Sequence, residues 1–75
     1  QLLSARARLE SAEVQLRDAD GELRRAQEVR QRGVNAERDL TRAQFLAERL
    51  RADVIGAQAS IAQQEAQVLG AEAAM

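Results

Sequence analysis

Arginine is the side chain through which this 75-residue chain could do recognition chemistry. Between Arg24 and Arg42 six arginines (24, 25, 30, 32, 38 and 42) stand against three acids, Glu28, Glu37 and Asp39. A guanidinium offers a planar fork of donors suited to carboxylate and other acceptor groups. The whole chain carries a net charge of only -1, so the basic excess is local and the remainder is net acidic. Two uses of such a cluster follow: solvated charge that complements a helix end, or a docking surface around Val29, Val34 and Asn35. Catalysis is not among them. With no histidine and no cysteine, imidazole acid/base chemistry, thiolate nucleophiles, zinc clusters and disulfides are excluded by inventory. The carboxylates are scattered, with no partner base or oxyanion donor, so no catalytic, cofactor or metal site is expected and the chain reads as a non-enzyme.

The elements that must position these arginines are written in heptads. The chain is rich in Ala, Leu, Arg, Glu and Gln, has no proline and one aromatic residue, which is the profile of long helices. Leu2, Leu9, Leu16 and Leu23 occupy one core position of the first half, and Ala5, Ala12, Ala19 and Ala26 the other. A second heptad runs Leu40, Ala43, Ala47, Leu50, Val54, Ala57, Ile61, Gln64, Val68, Ala71, Met75, with Gln64 its one polar member. Between the two lie a stop and a restart: Arg30 and Arg32 suit the negative end of a helix, Gly33 can take the left-handed conformation, and Asn35 is a good cap for the next helix. Glu37 and Asp39 then fall in its first turn, where the dipole favours acids.

So short a connection makes the helices antiparallel neighbours. In that arrangement the seams can be paired by counting. Leu23 with Ala43, Ala26 with Leu40, Leu16 with Leu50, Ala19 with Ala47, Leu9 with Ala57, Ala12 with Val54, Ala5 with Ile61 and Leu2 with Gln64 each add to 66, twice 33. Most layers oppose a large side chain to alanine, which permits close approach with the gap filled. The expected fold is therefore all-α: a single antiparallel coiled-coil hairpin over residues 1–75, with helix one about 1–32, the turn about 33–35 and helix two about 36–74. Only regular helix packing or a partner chain can stabilise so small a fold without disulfide or metal.

Several features lie outside this seam. A second apolar stripe follows the far side of helix two, Ala52, Ile55, Ala59, Ala62, Ala66, Leu69 and Ala73, with Phe45 extending it toward the turn. Alanine alone would be explained by helix propensity, but Ile55, Leu69 and Phe45 would not. A helix apolar on two faces must be covered on both, so lateral packing by Phe45, Ile55, Ala59, Ala62 and Leu69 against another hairpin or domain is expected. Counting from Gly33, residues from about Ala66 onward face nothing in this chain, which reads as a segment of a longer protein whose preceding residues supply the partner. Gln64 reads as a register-setting or seam-end residue. Gly21 and Gly56 read as tolerated interruptions, or as a gentle bend or close approach of a neighbour. Glu13–Arg17, Asp20–Arg24 and Glu28–Arg32 stand in favourable i,i+4 order, each worth about 0.2–0.5 kcal/mol. No apolar run reaches the roughly 18 residues of a membrane span, and nothing resembles a signal peptide.

The stretch from Arg24 through Ala43, reading RRAQEVRQRGVNAERDLTRA, resembles the hairpin tip of HlyD-type membrane fusion proteins, the periplasmic adaptors of tripartite efflux pumps and type I secretion systems. The Leu/Ala heptads on both sides fit as well, so the resemblance spans essentially the whole chain. In that family a tip pattern of Arg-x3-Leu-x6-Ser docks to an outer-membrane channel. Without gaps it falls here on Arg25, Val29 and Ala36, keeping the arginine, substituting valine for leucine and losing the serine. Shifted by one it falls on Arg24, Glu28 and Asn35, keeping the arginine and a polar cap but losing the apolar residue.

The resemblance implies a hairpin between two halves of a lipoyl-like domain, in a periplasmic adaptor anchored at the inner membrane. Its partners would be an outer-membrane channel, met by a tip of Arg24, Arg25, Val29, Arg32, Gly33, Val34, Asn35 and Ala36, and neighbouring hairpins of a homo-oligomer. An inner-membrane transporter would be met through the domains outside this segment; no cofactor, nucleic acid or direct membrane insertion of the hairpin is implied. Two other classes stay open: a dimeric four-helix bundle or spacer, with the second stripe as its core, and a cytoplasmic arm that positions nucleic acid. The last should show a basic stripe along its shaft, and this shaft is net acidic.

Overall fold

The computed structural model describes residues 2–33 and 36–74. Two helices make up the fold, α1 (Leu2–Gln31) and α2 (Glu37–Ala74), packed against each other as an antiparallel hairpin. The rod measures 65 × 14 × 13 Å. At about 1.5 Å per residue α2 alone spans about 57 Å, so helix length sets the long dimension. Both helices are a residue or so shorter at the turn than the pattern suggested, as fraying ends commonly are.

The turn is closed as its residues dictate. Gly33 has φ +81°, the left-handed region in which a side chain is strained, and its N–H donates to the Arg30 carbonyl at 3.1 Å. That is the inner bond of a Schellman-type close. The Arg32 N–H is shared between the carbonyls of Glu28 and Val29, each at 3.2 Å, a tightening of the last turn. At the restart, the Leu40 N–H donates to the Ala36 carbonyl at 3.0 Å, which puts Ala36 at the half-in position before α2. The capping role read for Asn35, like the tip position of Val34, lies outside the described residues, as do Gln1 and Met75. An ion pair from Arg30 Nη2 to Glu37 Oε1, 3.1 Å, straps the end of α1 to the beginning of α2.

Between the helices the mirror count holds. Every described seam residue from Leu2 to Ala26 and from Leu40 to Gln64 is buried or half-buried, while residues 65–74 are exposed throughout. The deepest layer is Ala19 against Ala47, 2% and 1% exposed, with Leu50 buried beside it and Leu16 and Leu23 packed on its flank. Ala5 and Val54 complete the buried set. Placing alanine on both helices at the centre lets the backbones approach, and the leucines above and below fill what remains. At the open end Leu2 and Gln64 share a shallow hollow with Gln67, Val68 and Ala71, and the Gln64 amide donates to Ser60 Oγ at 3.3 Å on its own helix. Gln64 thus marks the solvated end of the seam.

The i,i+4 ion pairs expected along the helices are not the ones formed. Among the described residues the pairs are Arg25–Glu22, Arg30–Glu37 and Arg51–Asp20. Asp20 is half-buried beside the seam and reaches across to Arg51 at 3.1 Å, not along α1 to Arg24. Both belong to the flanking column that an antiparallel register brings face to face, the position at which charges pair between helices. Gly21 and Gly56 interrupt neither helix.

Candidate docking tip and lateral faces

The hairpin has two edges, where columns from α1 and α2 converge beside the seam, and two outer faces, one on each helix. The arginines of the tip are divided among them. On one edge, next to the turn, a groove of about 380 Å³ is floored by Ala26, Val29, Ala36, Ala43 and Leu46 and rimmed by Glu22, Arg25, Asp39 and Arg42. Its floor is made where seam alanines leave room and half-exposed Val29 and Leu46 overhang from opposite helices. On the other edge Arg24 borders a separate hollow with Arg17, Asp20, Leu23, Gln27 and Arg51.

Adjacent arginines therefore border different edges, although both guanidinium groups lie within 4 Å of where a Cβ at Gly21 would stand. A step of one residue on a helix is a rotation of about 100°, and that step carries Arg25 to one edge and Arg24 toward the other. Of the residues read as a tip, Arg25, Val29 and Ala36 are brought to one groove; Arg24 is not, and Arg32 and Gly33 sit exposed at the apex. Sequence reasoning missed Leu46, Asp39, Arg42 and Glu22 as members of this groove. Leu46 had a signal: a large apolar residue immediately before a seam alanine, at the column flanking the core.

Electrostatics at the groove are set by pairing. Arg25 Nη2 donates to Glu22 Oε1 at 2.6 Å, and that hydrogen bond, then the charge of Glu22, raises the affinity of the guanidinium for its proton above the ordinary arginine value. Arg25 is held in place and locally balanced. Arg24, Arg32, Arg38 and Arg42 make no ion pair among the described residues, so the apex retains uncompensated positive charge.

Beside the apex, Phe45 stands 66% exposed in a hollow with Glu37, Arg38, Thr41 and Arg42. The stripe it begins is solvent-facing in this chain, with Ile55 and Leu69 more than half exposed and Ala59 and Ala62 also exposed. The lateral-packing residues are thus an available face, on the side of α2 away from the seam. α1 has a smaller counterpart that the sequence reading did not pick out, Leu3 and Val14, 74% and 53% exposed. Their spacing to Ala7 and Gly21 was the signal. Among the described residues no group of His, Cys, Asp and Glu could hold a metal ion, and no helix is long and apolar enough to cross a membrane.

Comparison with known proteins adds no family to this geometry: no family model, no curated protein and no solved structure matches the chain.

Proposed function

We propose that this chain is the docking hairpin of a periplasmic adaptor of the membrane fusion type, linking an inner-membrane transporter to an outer-membrane channel for efflux or secretion. The observation that carries the reading is the groove beside the turn. Arg25, Val29 and Ala36, the ungapped positions of the tip pattern, share it, whereas Arg24 borders the other edge. That shared groove supports the register through Arg25, with Leu46 supplying apolar floor that the valine at position 29 gives up relative to leucine.

Function on this reading is mechanical. A stiff 65 Å rod carries its uncompensated arginines at the end, where long-range attraction to an acidic channel rim would orient the approach. The apolar groove then accepts a side chain of the channel, while Arg25, pre-positioned by Glu22, donates to a carbonyl or carboxylate on it. Lateral stripes would seal neighbouring hairpins into a conduit. No step requires bond chemistry.

The test is charge reversal at one arginine at a time within the full-length protein. Arg25→Glu should abolish export and channel binding with helicity and melting unchanged, whereas Arg24→Glu should weaken binding by no more than about tenfold, as loss of an exposed rim charge does. Normal export in the double variant Arg24→Glu, Arg25→Glu would remove the tip from the mechanism.

A further inference from the structure

The place where the chain reverses is lightly built. The sequence has no proline, and Gly33 and Asn35 are weak helix formers without being breakers, so the whole chain could enter one unbroken helix. Among the described residues the reversal is held by the positive φ of Gly33, by the bonded N–H groups of Arg32, Gly33 and Leu40, and by the exposed pair of Arg30 with Glu37. The apolar spacing also continues across it: Leu23, Ala26, Val29, Gly33, Ala36, Leu40 and Ala43 follow one another at steps of three and four. A straightened chain therefore keeps one apolar seam from end to end. We propose that this chain has a second way to cover that seam: two copies open at Gly33 and pair as straight antiparallel helices, α1 of each against α2 of the other.

The mirror relation names the occupant of each opened seam. Because opposed positions add to 66, two straight copies running in opposite directions, with Gly33 on the two-fold axis, bring the same residues together. Ala19 meets Ala47 of the other copy, Leu16 meets Leu50, Ala12 meets Val54 and Leu23 meets Ala43. The ion pairs that join α1 to α2 transfer as well, Asp20 to Arg51 and Arg30 to Glu37. At the axis Gly33 faces Gly33, and the missing side chains let the backbones come close. One like-charged approach opposes the pairing, Arg32 beside its own copy, and salt screens it. Exchanging identical elements in this way gives up no seam contact, so turn and concentration set the balance. A short connection holds the helices of one chain at an effective concentration on the order of millimolar, and below that range the hairpin prevails.

The straight pair changes what the molecule presents. Doubling the reach from Gly33 to Ala74, at about 1.5 Å per residue, gives a rod of about 120 Å in place of 65 Å. Arg25, Val29 and Ala36 then lie in mid-shaft, and no turn remains at an end. The opened form cannot present a tip, and Gly33 is the residue that selects between the two. The inference rests on the seam and the turn and is independent of channel docking.

Gly33→Ala in the 75-residue chain is the perturbation that tests it. Alanine strains the left-handed turn and favours the unbroken helix, and each effect counts twice in a dimer. The dissociation constant should fall at least about a hundredfold, equivalent to about 2.8 kcal/mol, from near millimolar to about 10 µM. At about 100 µM sedimentation should show the variant as a dimer and the parent as a monomer, and X-ray scattering should give that dimer a length of about 120 Å. Below about 1 µM the variant is still a hairpin, and there the strain at its turn is read by itself. The seam gives a second reading that no packing of intact hairpins reproduces. Ala19 and Ala47 are 2% and 1% exposed, closed off from other chains while the hairpin is intact, and the chain has no cysteine of its own. In the Gly33→Ala background, Ala19→Cys chains unfolded and refolded together with Ala47→Cys chains should form a mixed disulfide. The same chains folded apart and then mixed should form it more slowly, because each hairpin must first break its own seam. A Gly33→Ala chain that stays monomeric at about 100 µM, a dimer no longer than the 65 Å hairpin, or no mixed disulfide on joint refolding would each overturn the proposal, with circular dichroism confirming that every variant is helical.

Discussion

Leu50→Ala is the perturbation that tests the packing on which every other statement here depends. Leu50 is 6% exposed and belongs to the cluster of Ala19 and Ala47 with Leu16 and Leu23 alongside. Truncation removes three carbon groups, and at about 0.8 kcal/mol for each the transfer loss is about 2.4 kcal/mol. In a core closed on all sides a cavity would add to that, taking leucine-to-alanine losses toward 5 kcal/mol. Here the layer is only two helices thick and both edges are open, so neighbouring side chains and water fill the space and the cavity contribution stays small. The expected cost is thus about 2.5 kcal/mol, which for a chain of this size lowers Tm by about 10–20 °C. Leu69→Ala, on the outer stripe and 66% exposed, is the matched control and should fall within about 0.5 kcal/mol of the parent. Urea and thermal unfolding followed by circular dichroism, at one dilute protein concentration so that association does not contribute, measure both. The reasoning fails if the two variants cost the same, or if Leu16→Ala and Leu50→Ala combine additively, since side chains in one layer should couple by about 0.5 kcal/mol or more.

The remaining predictions concern the glycines of the turn and shaft. Gly33→Ala should destabilise the hairpin by about 1–2 kcal/mol through backbone strain alone, because φ is +81° and nothing lies within 4 Å of the added carbon; a stability unchanged in chemical unfolding would contradict the turn. Gly56→Ala should do the reverse and raise stability by about 1 kcal/mol, since the position is helical and open; a loss on thermal melting would mean that something already occupies that face.

How far residue spacing alone reached can be judged at particular positions. The antiparallel register was legible because burial in a coiled coil repeats every seven residues, and a glycine that must take positive φ fixes the point about which two seams are mirrored. Ala19 against Ala47 and Leu16 beside Leu50 follow from that count, and so does the exposure of residues 65–74. The candidate site was legible only as a neighbourhood. Six arginines near a turn could be counted, but their sorting among two edges and an apex could not.

That difference has a physical cause. A small apolar side chain in a seam has one place to go, and the period of the helix assigns it. Asp20, Arg24 and Arg25 are polar and solvent-accessible, and two of them are long, so each could satisfy its charge along its own helix or across to the other. Which they choose depends on how closely the helices approach and how they are rotated about their axes, quantities fixed only when both helices are packed. Packing sent Asp20 across to Arg51, bound Arg25 to Glu22 above an apolar groove, and left Phe45 in solvent. The heptads determined that this chain is a hairpin; the contact between its helices decided which of its surfaces are free to meet something else.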